Sequence, residues 1–102
     1  MDMRKLMQQA QKMQAGLAQA QEELAKTTVE GSAGGGQVKA TVNGQGELVA
    51  ISISPDVVDP GDVEMLEDLV LSAVKDASTK SIAMAQSKMS SLTGGLGGLG
   101  LM

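Results

Sequence analysis

Apolar residues recur every three or four positions through the first quarter of the chain, at Met3, Leu6, Ala10, Met13, Leu17, Ala20 and Leu24. This is the spacing of a heptad seam over three repeats. Glutamine fills many of the intervening positions, and no proline or β-branched residue interrupts the run. The pattern predicts a helix over residues 3–24, about 33 Å long at ~1.5 Å per residue. Because this is long for so small a domain, we expect part of the helix to project.

Short stretches rich in β-branched residues follow, and glycines separate them. Residues 27–29 predict a short strand, and the glycine-rich residues 31–36 predict a mobile turn between strands. Residues 37–43 and 47–54 predict two further strands, joined by a tight turn at 44–46. The short connections indicate an antiparallel sheet.

The last of these strands carries the clearest alternation of side chains. Val49, Ile51 and Ile53 fall on one face, which we expect to be buried, and Leu48 falls on the other. Pro55 ends the strand.

A second helix begins after this strand. We expect Asp59 to cap it, with Pro60 in the first turn and Asp62 three residues after the cap. The helix should run to about Ser91. Its inner face should comprise Val63, Leu66, Val70, Ala73, Ala77 and Met84, widened by Met65, Leu69, Val74 and Ile82. The order of elements predicts an α+β fold, with one domain over residues 1–93 and a flexible Gly/Leu-rich tail over 94–102.

The composition limits both the core and the chemistry. The chain has 102 residues and no Phe, Tyr or Trp, so the core must be aliphatic, and we expect a second chain to complete it. The absence of His and Cys excludes thiol nucleophiles, disulfides, His-based triads and thiolate zinc sites. We expect no enzyme activity, cofactor, metal or small-molecule substrate. No apolar stretch is long enough to predict a membrane span, and the lack of cysteine is compatible with the cytoplasm.

The charges are segregated along the chain. Residues 1–26 hold four basic and three acidic side chains. Residues 27–70 hold one basic and eight acidic side chains, and residues 71–102 hold three basic and one acidic side chain.

The acidic run over 59–68 does not have EF-hand spacing, and its residues suit the start of a helix. The glycine run lacks the GK[ST] ending of a phosphate-binding loop. A Ser–Lys dyad on the second helix stays open, although no nucleophile-and-base signature supports it.

Several motifs follow one another in an order typical of a known family. They are QAQKMQ at 9–14, AQEEL at 20–24, VEG with AGGG at 29–36, NGQGE at 43–47, VDPGDVEMLEDL at 58–69 and SKMSSLTGGL at 87–96. Through these motifs the chain resembles the YbaB/EbfC family of nucleoid-associated proteins over nearly its whole length. The resemblance implies a helix–sheet–helix protomer that pairs into a tweezer-like homodimer. It also implies a bacterial protein of the cytoplasm and nucleoid that binds double-stranded DNA with little sequence preference.

The resemblance also indicates where DNA would bind, because the family's binding is attributed to the first helix and the distal part of the last. The matching residues here are Arg4, Lys5, Gln8, Gln11, Lys12, Lys80 and Lys88. The basic residues would contact phosphates, and the glutamines would bond to phosphate or base edges. This first helix carries Gln and Ala where relatives carry more charge, and the net charge is −4, so we expect weak, salt-sensitive binding. The alternative is a replication or repair accessory module that binds proteins, not DNA, through its Met-rich seam and acidic surface.

Overall fold

The computed structural model describes residues 2–97 and confirms the α+β fold. The elements are α1 (Met3–Lys26), β1 (Thr28–Ala33), β2 (Val38–Asn43), β3 (Leu48–Ile53), a 3-10 turn (Pro55–Val57) and α2 (Val63–Gly97). The three strands form an antiparallel sheet in the order β1-β2-β3.

Helix α1 projects from the sheet, as its length predicts. The Asp2 side chain caps it by accepting a hydrogen bond from the Arg4 N–H at 3.0 Å. Only Ala20 and Leu24 are buried on this helix, whereas Met3 at its start is 72% exposed. The apolar seam is therefore covered at the root of α1 and bare towards its tip.

The core lies between the sheet and α2, which packs across β1 and β2. Val38, Ala40 and Val42 on β2 are buried against the small side chains of Ala73 and Ala77 on α2. Val57 closes one end of this core, and Leu66, Leu69, Val70, Val74 and Ala33 pack around it. The core is aliphatic and thin, as the composition requires.

Strand β1 is longer than the sequence pattern indicates. The prediction of a turn over residues 31–36 is wrong at its start, because β1 continues to Ala33 and the turn comprises residues 34–37. Gly31 serves packing and not a turn: a Cβ there would lie 2.2 Å from the Ala77 nitrogen. The turn itself uses Gly34, Gly35 and Gly36, all of which have positive φ.

The prediction of a buried face on β3 is also wrong. Every residue of β3 is exposed, because α2 covers β1 and β2 and leaves the third strand bare. Ile51 and Ile53 lie on the side of the sheet that faces α2, yet they are 40% and 38% exposed. A bulge pairs Val42 with Leu48, which places Leu48 on that side too and not on the opposite face.

The two edges of the sheet differ in whether their outward main-chain groups have hydrogen-bond partners. At the β1 edge, the Ser32 N–H donates to Asp76 Oδ2 at 3.1 Å, and Lys80 Nζ donates to the Glu30 carbonyl at 3.0 Å. At the β3 edge, the alternation of the ladder turns the main-chain groups of Ile51 and Ile53 away from β2. No hydrogen bond from residues 2–97 covers them. One edge is closed by α2 and the other is open.

Helix α2 begins and ends later than predicted. Asp62, not Asp59, caps it by accepting from the Met65 N–H at 3.2 Å, while the Asp59 side chain holds the preceding turn through the Gly61 N–H. The helix continues to Gly97 and not to about Ser91. Glycine weakens a helix without blocking its backbone, so residues 94 and 95 do not stop it. The rest of the predicted tail lies outside the described residues.

Asn43 fixes the root of α1 against the sheet and α2. Its Nδ2 donates to the Ala25 carbonyl at 3.3 Å and to Glu47 Oε1 at 3.0 Å. Its Oδ1 accepts from the N–H groups of Gln45 and Glu47, both at 3.0 Å. Its carbonyl accepts from the buried Ser81 hydroxyl at 2.6 Å. Through its side chain and its carbonyl, one buried residue thus joins the end of α1, the β2–β3 turn and α2.

Candidate nucleic-acid interface

One side of α1 carries all the polar residues that the family resemblance assigns to DNA binding on this helix. At about 100° per residue, they fall within an arc of about 120° and within about 12 Å along the axis. We call this surface the basic face of α1, and it comprises Arg4, Lys5, Gln8, Gln11 and Lys12. All five are exposed, and no ion pair with any of residues 2–97 neutralises the three cations.

The apolar seam occupies roughly the opposite side of the same helix. Met3, Leu6, Met7, Met13 and Leu17 are all exposed there. The projecting part of α1 is therefore amphipathic, with one surface suited to anions and another suited to apolar partners.

Lys80 on α2 is engaged in holding the sheet. Its Nζ lies 3.3 Å from Asp76 Oδ2 and also donates to the Glu30 carbonyl of β1. The pKa of Asp76 is lowered from its ordinary value of 3.8, chiefly by the hydrogen bond from the Ser32 N–H and then by Lys80. Asp76 and Lys80 therefore form a polar clamp on the β1 edge.

Lys88 on α2 is engaged by the first helix. Its ammonium forms an ion pair with the carboxylate of Glu23, near the root of α1. The two residues border a cleft of ≈ 420 Å³ between the helices, together with Leu24, Thr27 and Met84.

The predicted site residues thus form two groups and not one. The basic face lies towards the tip of α1, whereas Lys88 meets α1 at Glu23, about 16 Å along the helix from Lys12. Lys80 lies two turns before Lys88 on α2, against the sheet. The structure brings together the residues of α1 and leaves the two α2 lysines at the base, each beside a carboxylate.

The carboxylates that engage these lysines were not identified from the sequence. Asp76 and Lys80 are four residues apart on a helix, and this spacing is a usable signal. Glu23 and Lys88 are 65 residues apart, so no local pattern could have shown their contact.

The acidic cluster at the start of α2 lies far from Lys88. Asp59, Asp62, Glu64, Glu67 and Asp68 are exposed around the start of α2. Lys88 lies roughly 36 Å further along the helix axis. The negative net charge is therefore concentrated away from α1.

A bare apolar groove lies beside β3. It has a volume of ≈ 450 Å³, and its walls are formed by Ile53, Leu66, Val70, Leu71 and Val74, with Glu67 at the rim. Leu71 is 54% exposed. The groove adjoins the open edge of the sheet, so apolar side chains and unpaired main-chain groups lie together on this side of the molecule.

Comparison with known proteins assigns this arrangement to a family. The model of the YbaB/EbfC DNA-binding family matches residues 1–96. A nucleoid-associated protein of Chloroflexus aurantiacus is 56% identical over 99 residues, which cover 97% of this chain and 99% of that protein. A nucleoid-associated protein of Streptomyces avermitilis is 58% identical over 100 residues, which cover 98% of this chain and 88% of that protein.

A solved structure has the same fold. The crystal structure of an uncharacterized protein from Helicobacter pylori superposes with a TM-score of 0.74 at 26% identity, covering 85% of this chain and 91% of that one. Within residues 2–97, neither long helix is apolar enough over a sufficient length to cross a membrane.

Proposed function

Because the chain belongs to the YbaB/EbfC DNA-binding family, we propose that it binds double-stranded DNA in the bacterial nucleoid through the basic face of α1. The observation that carries this proposal is the grouping of Arg4, Lys5, Gln8, Gln11 and Lys12 on one exposed surface of a projecting helix. Its three cations have no carboxylate partner among residues 2–97, so a phosphate need not displace one.

The chemistry of this face favours contact with the DNA backbone over base reading. Arg4, Lys5 and Lys12 would neutralise phosphates and release counterions, which gives salt-sensitive binding with little sequence preference. Gln8 and Gln11 add neutral hydrogen bonds. The segregation of carboxylates to the start of α2 explains how a chain with a net charge of −4 can approach DNA.

We propose that the DNA-binding unit is a homodimer. The apolar groove beside β3 and the open β3 edge together leave an aliphatic surface uncovered, and the core behind it contains no aromatic residue. A second copy offers the same surface, so a two-fold contact would cover both. The dimer would present two basic faces, and their engagement at separate points gives a means of altering the path of the duplex.

The decisive experiment compares two charge-removing variants with equal changes of charge. Arg4→Gln/Lys5→Gln removes two cations of the basic face, whereas Lys26→Gln/Lys75→Gln removes two exposed cations elsewhere. Binding to a labelled random-sequence duplex is followed by fluorescence anisotropy from about 20 to 200 mM salt. We expect the first variant to bind at least about tenfold more weakly, with a log–log salt slope flatter by about 0.9 per lost contact.

The control variant should bind nearly as the natural chain does. Equal losses in both variants would show that only total charge matters and would refute the assignment to α1. Circular dichroism of both variants establishes that the fold is intact.

A second function has its own support, namely the exposed seam of Met3, Leu6, Met7 and Met13. Methionine side chains adapt to varied surfaces, so the chain could bind a protein of the replication or repair machinery. Pull-down from lysate with and without nuclease separates the two functions, because a partner held through DNA is lost after digestion.

A further inference from the structure

Lys80 and Lys88 on α2 differ in the groups that they contact. Lys80 belongs to the polar clamp, where it donates to a main-chain carbonyl of β1 and contacts Asp76. Within residues 2–97, Lys88 has one carboxylate partner, Glu23, which belongs to the other long helix. Removing Lys80 from its contacts would uncover the β1 edge, whereas removing Lys88 from Glu23 breaks only an ion pair at the surface.

Both partners of the Lys88–Glu23 pair are accessible to an incoming anion. Their side chains are 41% and 48% exposed, and they stand at the cleft between α1 and α2. An exposed ion pair contributes little to stability, so another anion can replace one partner at small cost. DNA phosphate bound along α1 would approach this point, since Glu23 lies on the same helix as the basic face.

We propose that Glu23 is a positioning residue that competes with DNA phosphate for Lys88. While the pair is formed, the Lys88 ammonium is neutralised and the contact surface is confined to the basic face of α1. When a phosphate replaces Glu23, Lys88 joins the contact and extends it towards the root of the helix. This inference rests on the proposed function, because it presupposes DNA along α1.

The test measures DNA binding by Glu23→Gln, which releases Lys88 and keeps a side chain of similar size. We expect about a two- to fivefold higher affinity than that of the natural chain, the range given by the usual strength of an exposed ion pair. The salt slope should steepen by about 0.9 per released lysine, or roughly 1.8 for two in a dimer. The salt slope reports the number of phosphate contacts. If Glu23 had only a structural role, its replacement would not increase that number.

Glu22→Gln is the matched control, because it removes the same charge from the adjacent residue, which is exposed and has no ion pair within residues 2–97. It should raise affinity less and leave the slope unchanged. In the double variant Glu23→Gln/Lys88→Gln the gain should disappear. Lys88→Gln alone should weaken binding, but by less than Arg4→Gln/Lys5→Gln does, because Glu23 competes with phosphate for Lys88.

The outcomes separate this inference from the proposed function. If the natural chain binds DNA through α1 but Glu23→Gln behaves as Glu22→Gln does, or if the gain survives Lys88→Gln, only the role of Glu23 is refuted. If the natural chain, Glu22→Gln and Glu23→Gln all fail to bind duplex at about 20 mM salt, both proposals are refuted.

Discussion

Gly31 shows how one residue without a side chain sets the distance between β1 and α2. A Cβ at this position would lie 2.2 Å from the Ala77 nitrogen, 2.4 Å from the Ala73 carbonyl oxygen and 2.8 Å from the Ala77 Cα. All three are main-chain atoms of α2, so no rotation of a side chain could relieve the contact. The lack of a Cβ at Gly31 therefore allows α2 to lie close to β1. From there the side chains of Asp76 and Lys80 reach the β1 edge.

Gly31→Ala should lower the free energy of unfolding by about 3 kcal/mol, the upper end of the usual cost of overpacking, because the helix itself must move. Gly16→Ala is the control: apart from its chain neighbours and the adjacent backbone of α1, no atom lies within 4 Å of the added Cβ, and replacing glycine within a helix should stabilise the chain by about 1 kcal/mol. Urea unfolding measures both. A Gly31→Ala variant as stable as the natural chain would contradict the close approach of α2.

At the scale of elements, α2 stabilises the sheet through its polar side chains as well as its apolar ones. The Asp76 carboxylate accepts the outward N–H of Ser32 and contacts Lys80, which in turn binds the Glu30 carbonyl. The hydrogen bond from Ser32 lowers the pKa of Asp76. A carboxyl whose pKa is lowered by folding stabilises the folded state above its unfolded pKa, and this contribution is lost as the pH falls.

The contribution of Asp76 can be read from the pH dependence of stability. Asp76→Asn should be less stable than the natural chain at neutral pH, and the difference should shrink as the pH falls below the ordinary value of 3.8. Urea midpoints between neutral and acidic pH measure it. Asp68→Asn is the control, since Asp68 makes no hydrogen bond or ion pair in the described part of the chain. A difference that stays constant with pH would show that the Asp76 charge does not matter.

The sequence predicted those elements whose boundaries depend on local chemistry. The unbroken seam from Met3 to Leu24 predicted α1, and the turn after Asn43 predicted the β2–β3 hairpin. The predictions failed where the local structure depends on residues that are distant in the sequence. Gly31 belongs to a strand because α2 packs against it, β3 is bare because α2 passes over the other two strands, and Glu23 meets Lys88 from 65 residues away. The candidate site divides likewise. The family resemblance supplied the residues of the basic face and helical spacing places them on one side of α1, but neither indicated the carboxylate partners of Lys80 and Lys88.

At the scale of the whole molecule, charge and apolar surface are separated. The basic face lies towards the tip of α1, the carboxylates cluster at the start of α2, and the apolar groove lies beside β3. Under the proposed function, this separation would let one surface contact DNA and another contact a second copy.

The proposed homodimer is tested by placing a charge in the apolar groove. Leu71→Asp should weaken self-association at least about tenfold, because the carboxylate would be buried without a partner in the dimer. Val58→Asp is the matched control, since Val58 is also 54% exposed but does not line the groove. Sedimentation velocity measures the mass of each variant. A single chain of 10.4 kDa for the natural protein at all concentrations would refute the dimer.

The unequal edges of the sheet determine how far strand-mediated growth could continue. The polar clamp occupies the outward Ser32 N–H and Glu30 carbonyl, which makes β1 a poor template for another strand. Two chains that join through their β3 strands would leave only β1 edges at the two ends. Such growth is therefore disfavoured beyond two chains, which opposes propagation into a fibre and is a safeguard for a protein that would be concentrated along DNA.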